Sequence, residues 1–319
     1  MAPRALITGI TGQDGSYLAE LLLQKGYEVH GLVRRPEQGP GEHLAPLAGR
    51  LALHAGDLRD GRSLREAVGE SQPDEVYNLA ALSRVPLSWE RAEESADCNA
   101  LGVVRLLDAI ADSGGEARFF QASSSEIFGA SEGKPQDEST PLRPSSPYGA
   151  AKAYGHLLAG AYRRRRLFAC SGILFNHESP RRPPQFVSRR VTAGAAAIKA
   201  GRAEELPIGN LQARRDWGYA PEYMEAAWLM LQQEEPEDFV IGTGRAHTVG
   251  ELAEAAFTEL GLEADRYLRH DPAATRSADD AYALADPAKA AAKLGWRPRT
   301  GFPELVRTMV AADLEQLAG

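Results

Sequence analysis

The chain has 319 residues, of which 43% are hydrophobic and 25% charged, and its formal net charge is -8. This composition is that of an ordinary globular protein with enough chain for one large α/β domain and a smaller lobe. An acidic chain has no overall positive field, so we predict no binding to nucleic acid or to an anionic membrane surface.

The two cysteines, Cys98 and Cys170, form neither a C-x-x-C pair nor a Cys/His cluster. This argues against a disulfide framework and predicts no metal site. The sequence enters its first predicted strand without the apolar run of a signal peptide, and it has no apolar stretch of transmembrane length. We therefore predict a cytoplasmic protein.

The first predicted unit is a strand, a glycine-rich turn and a helix. Ala5 to Thr8 is a short apolar run, and Ser16 to Gln24 has the apolar spacing of a helix. The turn between them follows the pattern G-x-x-G-x-x-G, and we predict that it binds a dinucleotide through Gly9, Thr11, Gly12, Gln13, Asp14 and Gly15. Glycines let the backbone approach a pyrophosphate, which the helix N-terminus attracts. A plain glycine turn is the alternative.

The second predicted strand, Glu28 to Val33, ends in Arg34 and Arg35. An NAD site usually has an acidic residue at this position to bind the ribose 2′-hydroxyl, whereas arginine pairs with the 2′-phosphate of NADP. The sequence therefore predicts NADP as the cofactor. The alternative is a solvated arginine pair at the end of a strand.

Further short apolar runs predict four more strands, at Leu51 to Ala55, Glu75 to Leu79, Arg118 to Ala122 and Leu167 to Leu174. Helices are predicted between them, at Ser63 to Val68, Glu93 to Ser113 and Ser146 to Arg165, whereas Pro36 to Arg50 is predicted as a loop. Such alternation predicts an α/β fold with a Rossmann-like, doubly wound parallel sheet. Ligands of these sheets bind at the carboxyl ends of the strands.

After residue 175 the pattern becomes irregular, with helices predicted at Val187 to Ala200, Glu222 to Gln233, Val249 to Leu260, Pro287 to Leu294 and Pro303 to Leu317. We predict that residues 1–175 form an NADP-binding domain. Residues 176–319 are predicted to form mainly a smaller C-terminal α/β substrate lobe, with parts returning to the first domain. The sequence has no low-complexity linker, so the lobe is expected to pack closely on the sheet.

Polar residues follow two of the predicted strands. Asp57, after the third strand, can bind an adenine amino group or begin a helix. The run Ser124-Ser125-Glu126 leaves the fifth strand, and Tyr148 and Lys152 share one face of the next helix because they are four residues apart. Serine, tyrosine and lysine suit oxidation of an alcohol, and Glu126 adds a second base. An ordinary loop glutamate is the alternative for Glu126.

Four runs of residues point to a known family: Gly12-Gln13-Asp14-Gly15-Ser16-Tyr17, Tyr148 with Lys152, Asn176-His177-Glu178-Ser179-Pro180, and Arg215-Asp216-Trp217-Gly218. On these residues the chain resembles the extended short-chain dehydrogenase/reductases, and within them the GDP-mannose 4,6-dehydratase family. The sequence departs from the family pattern at several places, which include Arg84, Ser145 and the run Arg276-Ser277-Ala278-Asp279. The family's Thr-Ser-Glu run is Ser124-Ser125-Glu126 here, and the loop after Arg35 is shorter than in many members.

The resemblance implies a reaction and a role for each of four residues. GDP-D-mannose would be converted to GDP-4-dehydro-6-deoxy-D-mannose and water, with tightly held NADP. Tyr148 would take the O4 proton as hydride leaves C4, Lys152 would lower the pKa of this tyrosine, and Ser124 would hydrogen-bond O4. Glu126 would then remove the C5 proton and help water leave C6, to which the hydride returns.

The resemblance also implies further binding residues. Additional cofactor contacts would come from Leu58, Leu79, Ala81, Ser83, Tyr148, Lys152, His177 and Arg182. Substrate contacts would come from Ser83, Ser124, Glu126, Asn176, Val187, Arg190, Arg215 and Arg276. Arg215 and Arg276 are expected at the diphosphate, because a guanidinium donates two hydrogen bonds to a phosphate; surface arginines are the alternative. The resemblance further implies a homodimer or homotetramer.

Two other functions stay open from the sequence. One is a GDP-4-keto-6-deoxy-mannose reductase, or another epimerase or dehydratase acting on sugar nucleotides, and the reductase would consume NADPH stoichiometrically. The other is a non-catalytic, NADP-binding scaffold that keeps the fold without turnover. The complete set of Ser124, Glu126, Tyr148 and Lys152 argues against the scaffold. The fold alone does not distinguish these functions, since it hosts many of them.

Overall fold

The computed structural model describes residues 1–39, 41–130, 133–272 and 283–318. Its strands are, in chain order, β1 (Arg4–Thr8), β2 (Glu28–Val33), β3 (Leu51–Ala55), β4 (Glu75–Asn78), β5 (Arg118–Ser124), β6 (Ala169–Leu174), β7 (Asn176–Glu178), β8 (Leu206–Ile208), β9 (Arg214–Tyr219), β10 (Phe239–Ile241), β11 (Ala246–Thr248) and β12 (Leu268–His270). Seven of them form one parallel sheet in the order β10-β6-β5-β4-β1-β2-β3.

The helices are α1 (Gln13–Gln24), α2 (Gly61–Ser71), α3 (Val85–Glu90), α4 (Ala92–Ala96), α5 (Gly102–Asp112), α6 (Pro147–Arg164), α7 (Val187–Lys199), α8 (Ala220–Leu231), α9 (Val249–Glu259), α10 (Ala264–Tyr267), α11 (Ala288–Lys293) and α12 (Phe302–Ala318). Apolar side chains of α1 and α8 pack on one face of the large sheet, and those of α2, α5 and α6 pack on the other. This arrangement confirms the predicted doubly wound α/β fold.

The helix predicted from Glu93 to Ser113 is broken in the structure. A π-helical turn, Asp97–Leu101, separates α4 from α5. Inside this turn the side chain of Asn99 accepts a hydrogen bond from the backbone nitrogen of Leu82 over 2.8 Å and donates one to the Leu82 carbonyl oxygen over 3.2 Å. A polar side chain that bonds to another segment is a common reason for such an irregular turn.

Other elements also differ from the sequence-based prediction. The predicted loop after β2 contains two 3₁₀ turns, Pro36–Gln38 and Glu42–Leu47. Helix α1 begins at Gln13, three residues earlier than predicted, and β5 extends to Ser124. Strand β10 was missed because an apolar run of three residues is too short to identify on its own.

The second lobe has its own small sheets and core. One sheet has the order β11-β9-β7, the other pairs β12 with β8, and α7, α9 and α12 enclose a separate apolar cluster. Several elements after residue 175 return to the large sheet: β10 pairs with β6, α8 packs on α1, and α11 packs against β10. The boundary between residues 175 and 176 stays a prediction.

Both cysteines are free thiols, with Cys170 buried and Cys98 half-buried. No group of three or more His, Cys, Asp or Glu side chains within the described ranges is arranged to hold a metal ion. None of the helices in the described part of the chain is both long and apolar enough to cross a membrane. The cytoplasmic location stays a prediction from the sequence.

Candidate active site

A cavity of about 610 Å³ crosses the carboxyl ends of the large sheet and continues beneath the second lobe. Of the predicted site residues, those that line it are Gly9, Thr11, Gly12, Gln13, Asp14, Gly15, Arg34, Asp57, Leu58, Leu79, Ala81, Ser83, Ser124, Glu126, Tyr148, Lys152, Asn176, His177, Arg182, Val187, Arg190 and Arg215. The structure does not bring Arg35 to this cavity, since it precedes the 3₁₀ turn Pro36–Gln38. Arg276 lies outside the described residues.

The glycine-rich turn after β1 forms the floor of one end of the cavity. A Cβ atom at Gly15 would clash with the carbonyl oxygen of Gly9, so only glycine lets α1 begin this close to β1. Gly12 immediately precedes α1, and no side chain caps this helix end. The backbone N–H groups of the first turn are therefore available to an anion, and the positive end of the helix dipole favours one.

Two sequence motifs about 160 residues apart meet beside this turn. Asp14 Oδ2 lies 2.9 Å from His177 Nε2, and the Ser179 hydroxyl donates to Gln13 Oε1 over 2.8 Å. Burial favours a raised pKa for Asp14, but the charge of His177 and its hydrogen bond outweigh burial and lower the pKa to about 2. Burial alone would lower the pKa of His177, yet the Asp14 carboxylate raises it. This ion pair ties the glycine-rich turn to β7.

Strand β5 and helix α6 together position the predicted catalytic residues. The Ser124 hydroxyl accepts a hydrogen bond from the Glu126 backbone nitrogen over 3.2 Å, which fixes the turn where β5 ends. The Ser146 hydroxyl caps α6 by accepting from the Gly149 nitrogen. A Cβ at Gly149 would lie 2.5 Å from the Glu126 carbonyl oxygen. Glycine at this position therefore lets α6 approach the turn and brings Tyr148 to Ser124.

Tyr148 and Lys152 are both almost fully buried, at 8% and 3% exposed. Burial raises the pKa of Tyr148, and its hydrogen bond with Ser124 offsets this only in part. Lys152 Nζ lies 5.8 Å from the centroid of the tyrosine ring and donates to the Ala122 carbonyl oxygen over 2.8 Å. The pKa of Tyr148 is therefore above its ordinary value in this structure, and the predicted lowering by Lys152 stays a prediction.

Burial also lowers the pKa of Lys152 itself, to about 8. An ammonium group that leaves water loses hydration, and the described surroundings offer it a carbonyl oxygen at hydrogen-bonding distance rather than a close carboxylate. Its protonation consequently changes near neutral pH, where a titrating group can influence an enzyme reaction.

At the other end of the cavity, Arg34 and Asp57 follow neighbouring strands. Both carboxylate oxygens of Asp57 pair with Arg59, at 3.0 Å from its Nε and 2.7 Å from its Nη2. These hydrogen bonds hold the pKa of Asp57 below its usual value. Arg59 also reaches Glu94 over 3.3 Å. Arg34 also lines the cavity and is exposed, and it follows β2 at the position predicted to bind the 2′-phosphate.

The second lobe supplies the opposite wall. Asn176 begins β7 and pairs in register with Trp217 of β9. Arg215 lies two residues before Trp217 in β9 and lines the same wall of the cavity. Arg190 of α7 donates to the Pro207 carbonyl oxygen over 2.8 Å, and Val187 begins the same helix. Asp216 has a structural role, because it is fully buried and accepts hydrogen bonds from the backbone of Thr243, Gly244 and Ala285.

Several polar residues of the cavity were missed as site residues by the sequence-based prediction, namely Arg59, Arg84, Glu94, Cys98, Gln185 and Asn210. Asn210 follows the three-residue strand β8, which the pattern did not show. Arg84 precedes α3, a helix of six residues, and Glu94 and Cys98 lie near the break between α4 and α5. They share a location in short or irregular elements, where periodicity carries little signal.

The fold and the site together define a class of protein. A doubly wound sheet with a dinucleotide turn, a Ser/Tyr/Lys set at its carboxyl edge and a second lobe over the cavity is the architecture of an extended short-chain dehydrogenase/reductase. The sequence matches the family described as GDP-mannose 4,6 dehydratase over residues 6–309. The chain therefore belongs to the GDP-mannose 4,6-dehydratase family, as the resemblance predicted.

Individual relatives agree with this assignment. The human GDP-mannose 4,6 dehydratase is 47% identical over 98% of this chain and 91% of its own length. GDP-mannose 4,6 dehydratase 2 of Arabidopsis thaliana is 48% identical over 98% of this chain and 87% of its own. Among solved structures, a dTDP-glucose 4,6-dehydratase of Streptomyces venezuelae with NAD bound superposes with a TM-score of 0.87 at 28% identity, covering 99% of this chain and 98% of that one.

Proposed function

We propose that the protein is an NADP-dependent GDP-mannose 4,6-dehydratase, a hydro-lyase that converts GDP-D-mannose to GDP-4-dehydro-6-deoxy-D-mannose and water. One observation carries the proposal: Ser124, Glu126, Tyr148 and Lys152 line a single cavity that also contains the dinucleotide turn. Membership of the GDP-mannose 4,6-dehydratase family supports the choice of sugar nucleotide. In this assignment residues 1–175 hold the cofactor, and residues 176–319 mainly hold the substrate.

The first chemical task is oxidation at C4. NADP, when bound, would supply the hydride acceptor for C4 and the hydride donor for C6. Tyr148 removes the O4 proton, and the Ser124 hydroxyl orients the same oxygen. Lys152, in its ammonium form, stabilises the negative charge on the tyrosine. The residues that would hold the cofactor are the glycine-rich turn, Arg34, Asp57, and Lys152 with Tyr148.

The second task is the loss of water. A C4 ketone makes the C5 proton acidic, so a carboxylate can remove it. Glu126 is suited to this step because its backbone is fixed by Ser124 and its side chain reaches the same cavity as Tyr148. As the C6 hydroxyl leaves, the acid form of Glu126 can return a proton to it. After hydride addition at C6, Tyr148 or another group bound in the site returns a proton to C5, which completes the 4-keto-6-deoxy product. A simple dehydrogenase has no need of this second carboxyl group.

The substrate's diphosphate requires local positive charge, since the whole chain is acidic. Arg190 and Arg215, on the second lobe, are the described candidates, and Arg276 is proposed from the family resemblance alone. Asn176 and Val187 would contact the sugar and nucleotide between these arginines and the catalytic residues. Ser83 lies in the loop that follows β4 and also lines the cavity.

The proposal is tested by incubating purified protein with GDP-mannose and NADP well below the substrate concentration. We expect repeated turnover to a product lighter by one water, identified as the 4-keto sugar nucleotide by mass spectrometry. An isomer of unchanged mass would indicate an epimerase instead. Inactivity toward GDP-mannose, combined with stoichiometric use of NADPH on the 4-keto-6-deoxy sugar nucleotide, would indicate a reductase.

The predicted choice of NADP over NAD rests on Arg34. Replacing Arg34 with alanine should weaken NADP binding by about 10- to 100-fold, the usual loss for one hydrogen bond to a charged group, and should leave NAD binding nearly unchanged. Arg35→Ala is the matched control, because Arg35 is the adjacent exposed arginine and does not line the cavity. Titration calorimetry with both dinucleotides gives the comparison, and equal losses for both would contradict the assignment.

We further propose that the protein is a homodimer or a larger homo-oligomer, and that it associates through the side of α6 that faces away from the sheet. Large apolar side chains are unusually exposed on that side: Trp89, Leu101, Tyr154 and Leu157, at 46% to 65%. They come from α3, the π-helical turn and α6, which pack together. A contiguous apolar patch is typical of an interface, and a patch that meets its own copy gives a two-fold dimer.

Leu157→Glu should therefore shift the protein toward the monomer, because a carboxylate in an apolar interface loses its hydration. Size-exclusion chromatography with light scattering, over a dilution series, measures the change in mass. Gln24→Glu at the exposed end of α1 is the control, since α1 packs on the opposite face of the sheet. A mass that Leu157→Glu leaves unchanged would place the interface elsewhere.

A further inference from the structure

A buried chain of hydrogen bonds ends at the carbonyl oxygen that holds Lys152. The Thr8 hydroxyl donates to Asn78 Oδ1 over 2.7 Å, and Asn78 Nδ2 donates to Gln121 Oε1 over 2.8 Å. Gln121 Nε2 then donates to the Ala122 carbonyl oxygen over 2.9 Å. The same oxygen accepts from Lys152 Nζ over 2.8 Å. Both of its lone pairs are therefore engaged.

The register of the sheet explains why these hydrogen-bonded side chains are neighbours. Thr8 of β1 is the partner of Asn78 in β4, and Asn78 is the partner of Gln121 in β5. Three polar side chains thus lie side by side at one level of three adjacent strands, each no more than 1% exposed. Buried polar groups are costly unless they are hydrogen-bonded, so their presence in this core calls for a specific reason.

Every bond of the chain points in the same direction. At its start the Ala80 backbone nitrogen donates to the Thr8 hydroxyl over 3.1 Å. Each member then accepts from one neighbour and donates to the next, which fixes both amide orientations and polarises the bonds cooperatively. These hydrogen bonds consequently connect the loop after β4, which lines the cofactor end of the cavity, to the ammonium group of Lys152.

We propose that Gln121, supported by Asn78 and Thr8, is a positioning residue for Lys152. Its side-chain N–H fixes the Ala122 carbonyl oxygen in place and, by sharing this oxygen, weakens the hydrogen bond that the oxygen accepts from Lys152. Amide groups do not relay protons readily, so the chain acts through position and electrostatics rather than as a proton wire. The inference rests on the proposed function, in which the charge of Lys152 assists Tyr148 during oxidation at C4.

The effect on Lys152 has a definite sign. The N–H of Gln121 presents a positive dipole end to the oxygen that Lys152 also uses. Removing this N–H leaves the full acceptor strength of Ala122 to the ammonium group, which favours the charged form. The variant Gln121→Met keeps the length of the side chain without a donor, so it should raise the pKa of Lys152 while the lysine becomes less well positioned.

Steady-state kinetics of Gln121→Met across pH 6 to 10 provide the first test. We expect kcat to fall about tenfold, KM for GDP-mannose to stay within about twofold, and the alkaline limb of kcat to move to higher pH by roughly half a unit. An unchanged pH profile, or a loss confined to KM, would overturn the inference. If wild-type protein does not convert GDP-mannose at all, the proposed function fails, and the pKa of Lys152 measured by chemical labelling then decides the inference.

A second readout does not depend on turnover. Competitive labelling of the cofactor-free protein with acetic anhydride, followed by mass spectrometry, gives the pKa of Lys152 directly. The same upward shift is expected in Gln121→Met, whereas equal values in variant and wild type would refute the positioning role even if the enzyme proved to have another activity.

Thr8 offers a milder pair of variants in case Gln121→Met does not fold. Thr8→Val removes the hydroxyl and keeps the shape, so it should shift the profile in the same direction by less, while Thr8→Ser keeps the hydroxyl and should restore the wild-type profile. Ser71→Ala is the control for loss of a buried hydrogen bond, because the Ser71 hydroxyl donates to the Ala67 carbonyl oxygen within its own helix. Identical profiles for Thr8→Val and Thr8→Ser would count against the inference.

Discussion

Replacing Glu126 with glutamine should stop the reaction after oxidation at C4. The amide keeps the size and hydrogen-bonding capacity of the side chain but cannot accept the C5 proton, so elimination should slow by about a hundredfold to ten-thousandfold. Ser124 and Tyr148 remain, so hydride transfer from C4 should still occur. Mixing this variant, loaded with NADP, with GDP-mannose should give a persistent absorbance of the reduced nicotinamide, which in the wild type appears only transiently.

Two comparisons make this result specific to the carboxylate. Glu126→Asp retains a base one methylene shorter and should recover part of the turnover, whereas Tyr148→Phe should show neither elimination nor reduced nicotinamide. Exchange of the C5 hydrogen with deuterated water should be lost in Glu126→Gln and kept in Glu126→Asp. Normal product formation by Glu126→Gln would mean that another group removes the C5 proton.

The strands and helices before residue 175 were largely predictable, because the local sequence pattern of each element agrees with its environment in the folded protein. Glu28 to Val33 and Leu51 to Ala55 are short, mostly apolar segments, a pattern typical of strands, and the structure has the same bounds. Since parallel strands bring their carboxyl ends to one edge, the positions of the glycine-rich turn and of Ser124 followed from the order of elements alone. The common cavity was therefore expected before its geometry was known.

Contacts between distant segments were not predictable in the same way. Neither the ion pair between Asp14 and His177 nor the hydrogen bonds of Asn99 to Leu82 leaves a periodic signal, because each depends on how separate elements pack. Strand β10 is a similar case, since Phe239–Ile241 is recognisable only by its pairing with β6. Long-range packing overrides local propensity at such places.

Burial adds an effect on Tyr148 and Lys152 that the sequence does not show. Spacing showed that Tyr148 and Lys152 share a helix face, and a lysine near a tyrosine normally favours the phenolate. The same packing that brings them together removes both from water, which disfavours the charged form of each. A one-dimensional pattern gives the proximity of two groups but not the dielectric environment around them.

The lowered pKa of Lys152 predicts how activity depends on pH. The proposed mechanism uses its ammonium form beside Tyr148, and this form is present below the pKa of about 8 and lost above it. We therefore expect kcat of the wild type to decline as pH rises through about 8, although a lysine in water stays charged to much higher pH. A decline that begins only above pH 10 would contradict the environment found for Lys152.

Two substitutions at Lys152 separate its charge from its shape. Lys152→Met keeps the buried aliphatic stem without charge, and it should reduce kcat by about a hundredfold or more over the whole pH range, since Tyr148 then lacks a neighbouring cation. Lys152→Arg keeps a cation that does not deprotonate in this range, so it should retain more activity than Lys152→Met and lose the decline near pH 8. The arginine is bulkier, and its kcat at neutral pH should stay below that of the wild type. If the decline near pH 8 persisted in Lys152→Arg, the titrating group would have to be another residue of the cavity, and Lys152 would act only through its packing.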